Sequence, residues 1–286
     1  MRKPRIRSAK KAAPARGDHQ NIGRATLVMS ALADAASDGM RLIDVVRATG
    51  LGNATIHRVL SGLVAHGLAE QDAESGRFFL GMRLTAWAAV SSERFGLARW
   101  IEPALARLAQ RTGDTVYLTA RVGDEAVCIA QREGAFPIKA LTLKVGDHRP
   151  LGVGTGSLAL LAFLPDAEID RILSAQADKR TGFAIDEPTV REQVVATRRL
   201  GYAFNDLHVF PGLGTIADMS GIAFPISRQD GRPFAAVSVV AISSRMHPPR
   251  RENIVAAMRQ EIGDIEAKLR GESAPSARGT AGIPTI

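Results

Sequence analysis

Apolar residues at the start of the chain recur at helical spacing. Ile22, Ala25, Leu27, Val28, Ala31, Leu32 and Ala35 fall close to a 3.6-residue period and predict a helix from Asn21. Asp38-Gly39-Met40 breaks the pattern. Leu42, Val45 and Val46 mark a second, shorter helix, and Gly50 after it suits the left-handed conformation that ends helices. Asn53 has the chemistry of an N-cap. The third helix it would open carries Ile56, Val59, Leu60, Leu63 and Val64 on one side and is stopped by Gly67. Leu68 and Ala69, then Arg77 to Leu80, flank the turn-forming run "DAESG" and predict a hairpin. Helix, helix, tight turn, helix, hairpin is the order of a winged helix-turn-helix. Its turn sets two helices at a steep angle and frees the second to enter a major groove.

Beyond the hairpin, Leu84 to Trp100 reads as an amphipathic connecting helix with Trp87 and Trp100 near its ends. "EPALARLAQRTG" predicts another helix. Val116, Leu118 and Ala120 then alternate with Tyr117 and Thr119, "GDE" turns, and "AVCIAQR" answers as the next strand. "IKALTLK" predicts a third strand to complete a meander. The glycine-rich loop "LGVGTGS" (Leu151 to Ser157) runs into an apolar helix. A helix over "TVREQVVATRRLG", a strand at "YAFNDL", a hairpin of "GIAFPIS" and "PFAAVSVVAIS", and a helix from Asn253 to Leu269 complete the pattern. Strands and helices mix without a strict βαβ repeat, which predicts an α+β domain. The resulting divisions are a disordered basic tail (1–20), a winged helix-turn-helix (21–83), a linker helix (84–100), an α+β domain (101–271) and a disordered tail (272–286).

Composition narrows the class. Of 286 residues 45% are hydrophobic and 23% charged, ample for a core. No run approaches the roughly 18 apolar residues of a membrane span, and no apolar stretch follows the basic N-terminus as a signal peptide requires. A single cysteine, Cys128, leaves no intramolecular disulfide and no thiolate zinc cluster. The expectation is a cytoplasmic protein without membrane contact. The net charge of +8 is concentrated at one end: residues 1–20 hold seven Lys or Arg against the one acid Asp18. Such arms bind nucleic acid or simply solubilise. Residues 21–83 carry six Arg and six acids, so phosphate contact there must come from a local face rather than a net excess.

That face is the polar front of the third helix: Asn53, Thr55, His57, Arg58 and Ser61. An Arg can fork onto guanine and an Asn onto adenine; a phosphate or a nearby acid for Arg58, and simple capping for Asn53, are the plainer alternatives. Arg77 beside the hairpin turn is expected to reach phosphate or the minor groove, which positions rather than specifies. The loop at 151–157 has GxGxG spacing with no βαβ strand before it, so it is not a dinucleotide fingerprint. The amides of Gly154, Thr155, Gly156 and Ser157 ahead of a helix suit the carboxylate of a small organic acid, unless the glycines only turn the chain. Cys128 reads as a buried structural residue and His148 as a hydrogen-bonding loop residue. The six His are scattered without ligand spacing, so no metal is expected. No nucleophile–base pair is evident, hence no catalytic residue and no cofactor.

The ordered series "RATGLGNATIHRVLSGLVAHGLAE", "GRFFLG", "EPALARLAQRTGDTVYL", "VGDHRPLGVGTGSLALLAFLP", "RRLGYAFND" and "GIAFPI…GRPFAAVSV" resembles the IclR family of bacterial transcription regulators from about Arg24 to Met246. The resemblance implies an N-terminal winged helix, a C-terminal effector-binding domain of GAF/profilin-like α+β fold, and homodimers that often pair into tetramers. It also implies that Asp206, Ser220 and Ser238 lie across the pocket from Gly154–Ser157, with Ala159, Leu160, Ile222 and Val240 as apolar walls. The chain departs from the family where "TGSLA" replaces a "GKA" pattern, where Ser220 replaces a cysteine common among members, and in the longer "FPGLGTIADMSG". The effector of other members therefore does not carry over. The reading is a DNA-binding transcription regulator, not an enzyme, that binds a double-stranded operator and responds to a small-molecule effector, an organic acid. A ligand-independent architectural DNA-binding protein and an enzyme using the 151–240 pocket are the rival readings.

Overall fold

The structure, a computed structural model, describes residues 16–183, 185–206 and 219–272. Of the predicted tails at 1–20 and 272–286, residues 1–15 and 273–286 lie outside the described residues, while 16–20 and 272 are helical. The chain divides into two compact units, Met1–Val90 and Ser91–Ile286.

The first unit begins with α1, Arg16–Asp34. This helix starts five residues before the predicted one and takes in the end of the expected tail. A short 3-10 turn, Ala36–Asp38, leads to α2, Leu42–Thr49. Gly50 closes α2 at φ +68, its N–H returned to the Val46 carbonyl at 2.9 Å. The third helix, α3 (Asn53–Ala65), is capped by Gly52 and not by Asn53, and no side chain caps it. Asn53 is already helical, so its amide group is free to serve another purpose. Val28, Leu32, Val45, Ile56, Leu60 and Leu63 form the core of the three helices, closed by Ala69 and Phe78 from the hairpin. That hairpin pairs β1 (Ala69–Gln71) with β2 (Phe78–Leu80). Its turn is tied by Asp72, whose Oδ1 accepts from Ser75 N at 2.7 Å.

Helix α4, Met82–Arg94, runs on from this unit into the next. The predicted linker helix to Trp100 is broken instead. Gly96 adopts φ +61, and a π-helical turn, Leu97–Ile101, follows. A side chain at Gly96 would lie 2.4 Å from the Trp100 ring, so glycine is required there and a straight helix through it is not formed.

In the second unit, α5 (Glu102–Thr112) precedes β3 (Thr115–Val122) and β4 (Glu125–Arg132). The strand expected at "IKALTLK" does not form. Its backbone is claimed by side chains: Tyr117 Oη donates to Ala140 O at 2.5 Å and accepts from Thr142 N at 3.1 Å. The place beside β4 goes to β5, His148–Pro150. Four helices follow: α6 (Thr155–Ala162), α7 (Asp166–Ala175), α8 (Ala177–Thr181) and α9 (Glu187–Leu200). Then come β6 (Ala203–Asp206), β7 (Met219–Ser227), β8 (Pro233–Ile242) and α10, Pro248–Glu272, longer at both ends than its apolar period indicated.

The six strands form one antiparallel sheet in the order β5-β4-β3-β8-β7-β6. One face packs on α5 and α10 through Leu105, Leu108, Val237, Val239 and Met258. The other face packs on α6, α7 and α9 through Leu158, Leu161, Ile172, Val190 and Ala236. The sheet is therefore covered on both sides.

Candidate functional site

Two sites emerge, one in each unit. On α3 the inward positions Ile56, Leu60 and Leu63 are buried, while Asn53, His57, Arg58 and Ser61 are exposed and Thr55 is half-buried. The five predicted residues thus share the free side of one helix. Arg58 forms no ion pair or hydrogen bond with any described residue, whereas Asp44 on α2 is occupied by Arg47 and by the Arg41 N–H. An unpaired guanidinium on an exposed helix face is available for a base edge or a phosphate. Arg77 is placed differently from expectation. It is half-buried, and its Nη1 donates to the carbonyls of Asp38 (3.2 Å) and Gly39 (3.0 Å), so it braces the hairpin against the α1–α2 connection.

The second site is a cavity of about 50 Å³ between the sheet and the start of α6. Gly154, with φ +87, turns the chain into α6. The first turn of a helix leaves its N–H groups without intrahelical acceptors. Here the amides of Thr155, Gly156 and Ser157 find no acceptor among the described residues, the first return bond being Leu158 N to Gly154 O at 2.8 Å. The turn sits close to the sheet because two glycines allow it. A methyl group on Gly156 would lie 3.0 Å from Thr119 Oγ1, and one on Gly221 would lie 2.6 Å from Thr155 Oγ1. Thr119, 3% exposed, has no hydrogen-bond partner for its hydroxyl among the described residues. A buried hydroxyl left unpaired carries a desolvation cost, and this one lines the cavity.

The structure brings Gly154, Thr155, Gly156, Ser157 and Ser238 to that cavity together with Val240. Ser157 contributes its backbone only: its hydroxyl accepts from Gly152 N at 2.9 Å and donates to Pro150 O at 2.8 Å. Ser220 is not in the cavity, contrary to expectation. It pairs with Ala241 on β8, one position out of step with Gly221 and Val240, and so points to the opposite face. There its Oγ donates to Ser243 Oγ at 2.8 Å. Ile222 belongs to the same opposite face and packs with Val239 and Ala241. Asp206 is in register with Ser220; its side chain lies outside what is described.

The lining residues not anticipated include Tyr117, Thr119 and Arg149. The alternation of "TVYLTAR" did place Tyr117 and Thr119 on one face, and a threonine at the middle of a buried strand face was the available signal. Tyr117 is spent on the 140–142 segment, and burial pushes its phenol above the usual range. Cys128 lies on the cavity wall with its Sγ 3.7 Å from Ala130 O, and burial pushes its thiol up to about 11. It remains protonated at neutral pH, which makes it a poor nucleophile. His148 is exposed and shares Glu125 with Lys179. Among the described residues no helix is long and apolar enough to cross a membrane.

Comparison with known proteins gives the family of both units. Residues 22–73 match the IclR helix-turn-helix domain, and residues 89–267 match the C-terminal domain of the bacterial transcriptional regulator IclR. The chain is 27% identical over 275 residues to the HTH-type transcriptional regulator BhcR of Paracoccus denitrificans, covering 96% of this chain and 94% of that protein. It is 25% identical over 245 residues to the regulator XynR of Escherichia coli, covering 84% and 93%. Among solved structures, an IclR homolog from Microbacterium hydrocarbonoxydans complexed with 4-hydroxybenzoate superposes with a TM-score of 0.68 at 25% identity, covering 88% of this chain and 99% of that one. With both of its domains matched in order, and one match spanning more than half its length, the chain belongs to the IclR family of DNA-binding bacterial transcriptional regulators.

Proposed function

We propose that this regulator reads an inverted-repeat operator as a symmetric dimer and that a small organic acid, bound at the start of α6, alters its operator affinity. The observation that carries the effector half is the coincidence of three unpaired α6 amides with the orphaned Thr119 hydroxyl around one cavity. Partial positive charge at a helix start favours an anion, and an additional hydroxyl donor orients it. That a relative is complexed with 4-hydroxybenzoate, itself a carboxylic acid, fits the same chemistry.

For DNA, Arg58, with Asn53, His57 and Ser61 on the same exposed face, is the base- and phosphate-reading set, while Arg77 fixes the hairpin that flanks it. The dimer contact falls to α4, which buries none of its own residues yet carries Met82 at 72%, Trp87 at 56% and Val90 at 72% exposure. A helix so apolar on its surface is stabilised by covering that surface, and a second copy supplies the symmetric match. In this scheme residues 21–83 bind DNA, residues 84–100 join and pair the subunits, and residues 101–271 sense the effector. The effector must favour one arrangement of the paired DNA-binding units, since equal affinity for both would shift nothing.

The test is selection of operators from a random duplex pool by the full chain and by Arg58→Ala, followed by titration of the selected duplex with a panel of aliphatic and aromatic carboxylic acids. An inverted repeat whose enrichment collapses in Arg58→Ala, and whose affinity changes with at least one acid, is the expected result. Loss of a base-reading Arg should cost ~1–3 kcal/mol per half-site. A folded protein that selects no motif refutes the DNA reading, and indifference to every acid refutes the effector reading.

A further inference from the structure

The cavity at α6 has a second positive pole. Arg149, on β5, lines it together with the α6 amides. Arg121 is matched to Glu168 at 2.6 Å and Arg171 to Asp124 at 2.7 Å, while Arg180, which does not line the cavity, meets Glu187 at 3.8 Å and keeps its Nε and Nη1 without a partner among the described residues. Arg149 has no carboxylate within ion-pair distance among the described residues. Its Nη2 donates to Thr142 O at 3.3 Å, and its guanidinium lies over the Phe183 ring at 4.9 Å. Its Nε and Nη1 have no acceptor among the described residues. Asp147 also lines the cavity, but its Oδ2 accepts from Lys144 N at 2.9 Å and it does not bond Arg149. Burial works against the charge of Arg149, with Asp147 only partly offsetting it, and a guanidinium nonetheless stays protonated. A half-buried cation with unused donors is stabilised by an anion that meets it directly.

The two poles do not coincide. Arg149 pairs with Ala126 on β4, and Ala126 with Arg121 on β3; Thr119, beneath the first turn of α6, is on β3. Neighbouring strands are ~4.8 Å apart, so the Arg149 backbone lies two strands, about 10 Å, from β3. The guanidinium is held by Thr142 O and lies over the Phe183 ring, neither of which belongs to the first turn of α6. Apart from the two poles and the polar Tyr117, Thr142, Asp147 and Ser238, the lining is apolar, with Ala126, Cys128, Leu143 and Val153. Polar ends separated by an apolar middle describe a short chain with a charge at each end. The volume of about 50 Å³, against ~300–1,000 Å³ for pockets that take drug-sized molecules, keeps that chain short.

We propose that the effector is a short aliphatic dicarboxylate, with one carboxylate on the amides of Thr155, Gly156 and Ser157 and the other on the Arg149 guanidinium. This rests on the reading of the cavity as the effector site. Arg149 is then the specificity-determining residue, separating dicarboxylates from monocarboxylates of equal length.

The test is calorimetric titration of the full chain with succinate and glutarate against butyrate and valerate, in the wild type, Arg149→Gln and Arg149→Lys. In the wild type the dicarboxylates bind roughly ten- to hundredfold tighter, the range of a charge-assisted hydrogen-bond pair. Arg149→Gln abolishes that preference and leaves the monocarboxylates within roughly threefold, while Arg149→Lys, which keeps the charge, retains part of it. An unchanged melting temperature shows that each variant is folded. Equal binding of the two classes by the wild type, or a preference that survives in Arg149→Gln, overturns the dicarboxylate proposal and leaves the effector site standing. Binding of other acids but none of these four does the same. If no carboxylic acid binds the folded protein, the effector reading falls and this proposal with it.

Discussion

Replacing Ser157 by alanine separates two roles that the α6 loop could have given it. The hydroxyl is 3% exposed as part of its residue and holds both ends of the 150–157 loop, accepting from Gly152 N and donating to Pro150 O. When it is removed, Pro150 O keeps a second donor, Val153 N at 3.1 Å. Gly152 N keeps nothing. The loop cannot relax freely to repair this, because a methyl group at Gly152 would lie 2.7 Å from Val190 of α9, and Leu151 and Val153 are buried on either side. One buried N–H left without an acceptor costs ~1–3 kcal/mol. The enclosed setting argues for about 2 kcal/mol, or roughly a 4–8 °C fall in Tm for a unit of this size. Urea unfolding of the apo protein reads the stability, and titration with the acid selected above reads the binding. Ser157→Ala should lose stability without ligand present and lose affinity only through a less ordered set of amides. Unchanged apo stability with a large loss of affinity would refute the argument and make Ser157 Oγ a direct ligand contact.

Two further outcomes follow from groups buried in the same unit. Asp114, 4% exposed, meets Arg245 at 2.9 Å and Arg250 at 2.5 Å. Asp114→Asn leaves both guanidiniums without their counter-charge and should destabilise by ~3 kcal/mol in urea unfolding, the lower end for a broken buried pair because the two arginines are partly exposed; a loss below ~1 kcal/mol would contradict it. Cys128 has its thiol raised from 9.0 to about 11. The unfolded chain ionises near 9 while the folded chain holds the proton to about 11, so this group contributes a loss of stability as pH rises through that window and nothing below it. Cys128→Ala should remove that part of the alkaline slope in denaturation curves, and the native thiol should resist alkylation at neutral pH. Rapid native labelling at pH 7 would refute the buried, protonated assignment.

From α2 to the hairpin the DNA-binding unit was legible in the sequence to within a residue or two because its helices are amphipathic, whereas α1 starts five residues before its apolar period. Ile56, Leu60 and Leu63 face the core and Asn53, His57, Arg58 and Ser61 face solvent, so the period that predicts α3 also names its free face. The effector unit gave up its elements but not the facing of its central strands. β7 and β8 are buried almost throughout, because helices cover both sides of the sheet and no polar alternation marks an outside. Ser220 and Ser238 are equivalent by composition, yet register places Ser238 beside Gly156 and Ser220 against Ser243 on the opposite face. The same limit hid Arg149. While "IKALTLK" stood as a strand, the position beside β4 was filled and His148–Pro150 had no sheet to join. Only the pairing of Arg149 with Ala126 turns its side chain toward the cavity. In a sheet covered on both faces, a one-residue step in pairing moves a side chain from ligand to core. The groups that set effector specificity are therefore fixed by register, and exchanging residues between the two faces should alter specificity only at the positions in step with Thr119, Ser238 and Arg149.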